Sequence, residues 1–242
     1  MFDFSSSQIQ LFGKTMTYYA VLPILGVLLA AGAAALFCRK ENLPARPAAY
    51  TVGVLFSAAT IFRLYQNRIP ASLLPFMFVI SAAGVAAAAY MVGRMMKTQG
   101  IHLCTAFATP MYMAVCKLGC FRSGCCIGRP YDGMLSVCYG DATLCSVKNV
   151  QLFPVQLLTA GLLFAAAFLA WAVLRRQKDI CTYLAVSGLT LLAYYGGALL
   201  CDKTGSAMVL AGVDFAVVMA AVSFAWVLAW TAGARVWAKK KL

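Results

Sequence analysis

Charged residues are scarce in this sequence, and acidic residues are the scarcest of them. Charged side chains make up 11% of the 242 residues, whereas 63% of the residues are hydrophobic and the mean hydropathy is +0.83. A soluble domain of this length needs far more polar surface. Sustained alternation of polar and apolar residues is also lacking, which argues against a membrane β-barrel. The composition therefore predicts a helical membrane protein.

The few acidic residues leave a strong positive balance. Seven Asp and Glu stand against 20 Lys and Arg, which gives a formal net charge of +13. In a soluble protein this balance would suggest nucleic acid as a partner. Here the basic residues fall mainly between apolar runs, so we expect anionic phospholipid and the membrane as partners, and no nucleic acid. The first 16 residues carry Asp3 and Lys14 without a cleavage site, so we expect no removable signal peptide.

Seven apolar stretches are each long enough to cross a bilayer core, which takes about 20 helical residues. They cover approximately residues 18–37, 48–65, 73–92, 102–119, 153–174, 180–200 and 208–230. Backbone groups in lipid must be hydrogen-bonded internally, and helices achieve this. The sequence predicts an all-α membrane protein with seven transmembrane helices, forming one domain over residues 1–242.

The distribution of basic residues predicts the orientation of these spans. Twelve of the 20 fall on one side, which the positive-inside rule makes cytoplasmic. They are Arg39, Lys40, Arg46, Arg94, Lys97, Arg175, Arg176, Lys178, Arg235, Lys239, Lys240 and Lys241. The N-terminus is then outside and the C-terminus cytoplasmic. A cysteine-rich loop at about 120–152, between the fourth and fifth spans, faces outward.

The stretch 116–130 holds four cysteines, three glycines and three basic residues. Lys117, Arg122 and Arg129 would concentrate positive charge at the outer membrane boundary, where a lipid phosphate could accept hydrogen bonds from them. The alternative is that these side chains only extend to surrounding headgroups. Arg63 and Asp214 lie at matching depth near the outer face and could form a pair, or each could extend to the interface.

Ten cysteines allow several chemistries. Cys138 and Cys145 could form a disulfide on the outer side. Cys116, Cys120, Cys125 and Cys126 could instead make a soft-metal or redox site, although their spacing is not that of zinc modules. The remaining cysteines are expected to pack as small hydrophobic residues: Cys38, Cys104, Cys181 and Cys201. The single histidine, His102, lies on the cytoplasmic side, where an interfacial role is favoured over a functional one.

The same stretch resembles the prolipoprotein diacylglyceryl transferases. Their motif Gly-Arg-x-Gly-Asn-Phe-x-Asn-x-Glu-x-x-Gly precedes a His-Pro-x-Gln-Leu-Tyr-Glu stretch that opens the next helix. Here Lys117 stands in place of the family's lipid-binding arginine, and Gly119, Phe121 and Gly128 are in register. Phe-Pro-Val-Gln-Leu at 153–157 then opens the fifth span. The start of the first span is similar as well, which makes Tyr19 the counterpart of the family's functional tyrosine.

The resemblance implies transfer of the diacylglyceryl group of phosphatidylglycerol to the thiol of a lipobox cysteine in a prolipoprotein. It implies a multi-pass protein of the bacterial cytoplasmic membrane, with no cofactor or metal. The candidate catalytic residues are Tyr19, Cys120 and Cys125. The candidate headgroup-binding residues are Lys117, Arg122, Arg129, Arg63, Gly119, Gly124, Gly128 and Gln156.

The chain departs from the family where that reaction is defined. Cys120, Ser123 and Cys125 replace the motif's two Asn and its Glu, and residues 81–84 lack the family's histidine. Tyr194 and Cys201 lie where a pair of arginines is expected. The alternative hypothesis is therefore a non-catalytic, thiol-redox or metal-handling membrane protein. A transporter is not supported by any visible repeat.

Overall fold

Helices hold most of the residues that the computed structural model describes. The described residues are 2–11, 13–64, 84, 87–88, 90–95, 101–201, 209–210 and 213–240. Side chains are described for all of these except 61–64, 101–102, 209–210, 213, 215 and 233–240. The helices are α1 Tyr18–Lys40, α2 Ala45–Leu64, α3 Ile101–Ser123, α4 Val155–Arg176, α5 Ile180–Ala198 and α6 Phe215–Lys240. The short strands are β1 Phe2–Ser6, β2 Gln8–Leu11, β3 Lys14–Thr17, β4 Val137–Ala142, β5 Val209–Leu210 and β6 Val213–Asp214.

Four helices among the described residues are long and apolar enough to cross a membrane. They are α1, the part of α3 from Leu103 to Ser123, α4 and α5, and residues 216–232 of α6 form a shorter apolar helix. The prediction of a helical membrane protein is confirmed. The third predicted span, 73–92, lies largely outside the described residues, and the number of seven spans stays a prediction.

Helix α3 lies at the centre of the bundle, between α1 and α4. Phe37, Phe107 and Trp171 join these three helices, with ring centroids 4.9–5.4 Å apart. A Cβ at Gly26 would meet Tyr112 on α3 at 3.1 Å, so the glycine permits close approach of α1 to α3. Leu28 and Phe168 are exposed on the outer helices, as expected for lipid-facing residues. The central helix is therefore largely buried by its neighbours, and Lys117 on it is a buried charged residue.

One end of the bundle is defined by Glu41, just after α1. Its carboxylate accepts a hydrogen bond from Arg175 Nε at 3.2 Å, in the last turn of α4, and pairs with Lys178 Nζ at 2.6 Å, two residues after that helix. At the same end, the Sγ atoms of Cys38 on α1 and Cys104 on α3 are 3.5 Å apart. The cysteine-rich loop lies at the opposite end, because α3 runs from Cys104 toward that loop.

We expect the contacts of Glu41 with Arg175 and Lys178 to make a small, pH-dependent contribution to the free energy of unfolding. The hydrogen bond from Lys178, with help from Arg175, holds the pKa of the Glu41 carboxyl below its usual value. The contribution is therefore present above the unfolded-state pKa of about 4.3 and is lost as the pH falls through the lower folded pKa. Because Arg175 and Lys178 are nearly half exposed, we expect Glu41→Gln to cost less than about 1 kcal/mol at pH 7. Thermal unfolding of both proteins across pH checks this, and an undiminished difference at pH 3 would contradict it.

Short strands at the other end were not predicted from the sequence. Strand β1 pairs in parallel with β4, placing Phe2 beside Val137 and Phe4 beside Tyr139, and β2 pairs with β3 as a hairpin. The N-terminal segment thus lies along the loop that follows α3. It covers that loop with two aromatic rings and leads directly into α1 at Tyr18.

Candidate thiol and cation site

The C-terminus of α3 brings separated cysteines together. Gly124 adopts a left-handed conformation with φ +80°, and its N–H and that of Cys125 both donate to the Cys120 carbonyl, at 2.9 and 3.2 Å. Glycine is favoured at such a helix end because it has no Cβ to clash. A Cβ there would lie 2.9 Å from Cys145 Cβ. Cys126 is also left-handed, with φ 54°, so the chain folds back over the last turn of the helix.

This reversal forms a three-thiol cluster, defined here as Cys120, Cys125 and Cys126. Their Sγ atoms all lie within 4.8 Å of one another. Cys120 is buried, Cys125 is half-buried and Cys126 is exposed, so the cluster extends from the protein interior to its surface. Hydrogen bonds with Cys120 and Cys126, together with burial, raise the pKa of the Cys125 thiol. This thiol is therefore protonated at neutral pH unless a further charge acts on it.

Lys117 lies one turn before the cluster on α3 and is buried, with 9% of its surface exposed. Its Nζ is 4.7 Å from the centroid of the Tyr194 ring on α5. Its principal electrostatic neighbours are Cys126, Tyr194, Cys120 and Cys201. They are thiols and a phenol rather than a carboxylate. The structure thus surrounds an interior ammonium group with side chains that become anionic only on losing a proton.

The loop after the cluster is tied to the start of α4 by three contacts. Phe153 N–H donates to the Arg129 carbonyl at 2.9 Å, and Gln156 Nε2 donates to the Cys125 carbonyl at 2.8 Å. A Cβ on Gly128 would overlap the Phe153 carbonyl oxygen, so only glycine allows this approach. Gln156 is 1% exposed. Within the described residues, its Oε1 is a buried acceptor without a hydrogen-bond partner, as is Ser123 Oγ.

Arg122 and Arg129, two of the predicted headgroup-binding cations, do not lie in the interior beside Lys117. Arg122 donates to the Ser6 carbonyl at 2.7 Å, and its guanidinium lies over the rings of Phe4 and Tyr18 at 4.4 and 4.7 Å. It therefore holds the N-terminal strand and the start of α1 in place. Arg129 is exposed, and its carbonyl accepts a hydrogen bond from Phe153 N–H, two residues before α4.

The remaining predicted positions lie near the cluster or outside the described side chains. Tyr19 is half-buried in the first turn of α1, and a Cβ at Gly119 would meet the neighbouring Tyr18 carbonyl oxygen at 3.3 Å. The side chains of Arg63 and His102 lie outside the described residues, so the proposed pairing of Arg63 with Asp214 stays a prediction. Asp214 itself is half-buried and accepts from Ala216 N–H at 2.8 Å.

The predicted bridge between Cys138 and Cys145 is not formed. The structure describes all ten cysteines, and none of them is in a disulfide. Cys145 Sγ donates to the Val147 carbonyl at 2.8 Å instead. The turn is held by Lys148, whose Nζ donates to the carbonyls of Gly140, Asp141 and Thr143 at 2.8–3.3 Å. A charged side chain with three acceptors thus closes the loop without a covalent bridge.

Two site residues were missed by sequence reasoning. Tyr194 contacts Lys117, and Cys201 Sγ lies 3.8 Å from the Cys126 carbonyl oxygen, next to the backbone bridge between Cys201 and Gly128. Cys201 had been interpreted as a small hydrophobic residue. The signal available in the sequence was their position, because both lie in the region where the family has its pair of arginines.

Comparisons with known proteins give no further identification. No model of a known protein family matches the chain. No curated protein matches it either.

Proposed function

We propose that the protein is a phospholipid-dependent transferase that moves a diacylglyceryl or related lipid group to an acceptor thiol. The proposal rests on one observation above all, a buried lysine at the family's lipid-binding position, set among thiols at the glycine-rich end of α3. In the proposed topology, seven spans place this end at the outer face of a bacterial cytoplasmic membrane. The preferred donor is an anionic phospholipid of the phosphatidylglycerol type, and a lipobox-containing prolipoprotein is a possible acceptor.

The charge of Lys117 supports this proposal. Ionisable groups within membrane proteins are costly and usually mark a site or a pairing. The ion pairs recorded among the described residues both belong to Glu41, at the opposite end of the bundle. A lipid phosphate reaching Lys117 would supply an anion through a charge-assisted hydrogen bond. The same contact would stabilise the charge that develops on the phosphate as it leaves.

The meeting of the two family-like segments is a second support. Residues 117–128 and 153–157 are more than 20 positions apart, yet Gln156 donates to Cys125 and Gly128 contacts Phe153. Cys120 and Cys125 stand at the positions where the family motif has Asn and Glu. The positions at which the family has these polar residues therefore lie beside the start of α4, although they hold thiols in this chain.

The proposed reaction is a substitution at carbon. The acceptor thiol loses its proton to solvent, and its sulfur attacks the glyceryl carbon that carries the phosphate ester. A C–S bond forms and the C–O bond to the phosphate breaks, while glycerol phosphate leaves with the electron pair. No oxidant or reductant is needed. Lys117 would bind the departing phosphate. Tyr19, in the first turn of α1 at the same end of the bundle, would contact the headgroup.

A thiol protein without transferase activity is the second candidate, and the mutual proximity of three sulfur atoms favours it. Such a protein would use the three-thiol cluster for metal binding or redox exchange. It would tolerate Lys117→Ala but lose thiol reactivity or bound metal with Cys125→Ser. A transferase would lose phospholipid turnover with Lys117→Ala. The two substitutions therefore separate the candidates.

Reconstitution tests the transferase directly. We expect the purified protein in phosphatidylglycerol vesicles to release glycerol phosphate and to add a diacylglyceryl mass to a peptide carrying a lipobox cysteine. Phosphatidylcholine vesicles and a peptide with serine in place of that cysteine should give neither product, because one lacks the anionic donor and the other the thiol. Mass spectrometry of the peptide and release of glycerol phosphate are the measurements. Absence of turnover with every anionic phospholipid tested would overturn the proposal.

A further inference from the structure

We infer that Cys120, Cys125 and Cys126 form a zinc-binding site with three protein ligands and an open fourth position, beside Lys117. Metal binding by these residues stands on its own geometry. The role given to the open position rests on the proposed transferase function, because it concerns the acceptor thiol. Metal content and phospholipid turnover, measured separately, distinguish failure of one from failure of the other.

The three sulfur atoms are spaced almost as in a zinc site. Zinc binds thiolates at about 2.3 Å in tetrahedral geometry, which sets sulfur atoms about 3.8 Å apart. The three Sγ atoms already lie within 4.8 Å of one another. Small side-chain rotations bring them to ligand distances. Two of the three ligands are on the turn that follows Gly124, so helix α3 itself need not move.

Charge balance at the cluster favours a divalent ion. Three thiolates carry a charge of −3, and Zn²⁺ reduces the site to −1, which the ammonium of Lys117 neutralises. Cu(I) with the same ligands would leave −2 against one ammonium group. Uncompensated charge is costly in a buried site. Lys117 has Cys126, Cys120 and Cys201 as electrostatic neighbours, so its charge is placed to compensate such a centre.

Hydrogen bonds from the surrounding chain hold the backbone of the ligands in place. The Cys120 carbonyl accepts from Gly124 and Cys125, and the Cys125 carbonyl accepts from the buried Gln156 Nε2. These bonds fix the backbone that carries two ligands, and such outer contacts are typical of metal sites. Two buried acceptors next to this backbone, Ser123 Oγ and Gln156 Oε1, have no partner among the described residues. They could accept from an outside ligand or from its water.

The open fourth position of the zinc site would bind the acceptor thiol as a thiolate. Catalytic zinc sites keep one position open, whereas structural sites fill all four. Cys201 does not belong to the group of mutually close sulfurs, because its Sγ is directed at the Cys126 and Gly197 carbonyls at 3.8 and 3.9 Å. Cys126 is exposed, which gives an outside thiol a path to the site. Zinc held by these three cysteines would lower the pKa of an acceptor thiol at the open position, so that the thiol would lose its proton to solvent and its sulfur could attack carbon.

Metal binding is tested on the full-length protein purified under reducing conditions. We expect about one Zn²⁺ per chain, and with Co²⁺ the near-ultraviolet bands of thiolate-to-cobalt charge transfer. The triple substitution of Cys120, Cys125 and Cys126 by Ser should lower bound metal at least tenfold and remove these bands. Cys181→Ser is the matched control and should change neither. Circular dichroism and thermal unfolding show whether the triple variant still folds, and Cys126→Ser alone, at an exposed position, should weaken binding without unfolding the protein.

The outcomes are distinct. Metal retained by the triple variant, Cu(I) bound in preference to Zn²⁺ and Co²⁺, or no metal bound at all would overturn the inference. Turnover of phosphatidylglycerol at an unchanged rate after complete removal of zinc would overturn the role of the open position and leave the transferase proposal standing. Zinc bound by the three cysteines without any turnover would support the metal site and contradict the proposed function instead.

Discussion

Lys117→Met is expected to reduce phosphatidylglycerol turnover by about 100-fold or more. The substitution keeps a long, flexible side chain but removes the positive charge that would stabilise the departing phosphate. Loss of a single such contact in a transition state typically costs 10²–10³ in rate. Release of glycerol phosphate in vesicles is the measurement, under the same conditions for both proteins.

The free energy of unfolding of Lys117→Met should be unchanged or higher than that of the wild type. Lys117 is buried, and its principal electrostatic neighbours are thiols and Tyr194 rather than a carboxylate. Replacing a buried ion by an apolar residue of similar size is often neutral or stabilising. Lys117→Met should therefore fold normally while losing activity. A general packing defect would lower the unfolding temperature together with the activity.

Lys14→Met is the matched control. Lys14 is exposed on β3, near the same end of the bundle, and lies outside the proposed site. Its loss should leave turnover unchanged. Lys117→Arg, which keeps the charge, should retain measurable turnover. Wild-type turnover in Lys117→Met would show that Lys117 does not stabilise the departing phosphate and would contradict the role proposed for it.

Helix positions could be predicted from the sequence because the apolar runs set them. The predicted second span, 48–65, corresponds to α2 at Ala45–Leu64, and the fifth, 153–174, corresponds to α4 at Val155–Arg176. Helix α3 ends at Ser123 rather than at 119, because Gly124 is the first residue to adopt a left-handed conformation. Cys120 is consequently a helical residue, and the loop begins four residues later than predicted.

The neighbourhood of the site was only partly predictable. The sequence grouped four cysteines as a soft-metal or redox site, and the structure brings Cys120, Cys125 and Cys126 together. Cys116, the fourth, is buried one turn earlier on α3 and does not belong to the group of mutually close sulfur atoms. Tyr194 and Cys201 were not predicted to reach them, because that contact depends on how α5 packs beside α3. The position of Arg122 was likewise decided by β1, whose pairing with β4 is a long-range contact that no local pattern indicates.

Gly128→Ala is expected to disrupt the junction between the cysteine-rich loop and α4. The added Cβ would overlap the Phe153 carbonyl oxygen and lie 3.1 Å from Phe153 Cβ. The oxygen belongs to the backbone just before α4, so it cannot rotate away as a flexible side chain would. Overpacking of this kind costs about 1–3 kcal/mol or more. We expect a free-energy loss of about 3 kcal/mol and a clear fall in the unfolding temperature.

The same substitution should also impair the site. Moving the loop away from Phe153 would break the Gln156 contact to the Cys125 carbonyl, so zinc binding and lipid turnover should fall together. Gly161→Ala is the control, because a Cβ at Gly161 in α4 meets no atom within 4 Å. Alanine is favoured over glycine within a helix by about 1 kcal/mol, so this variant should be as stable as the wild type or slightly more stable. Equal unfolding temperatures for the two variants would mean that loop and helix do not meet at Gly128, and the ligand arrangement that depends on this junction would fail with it.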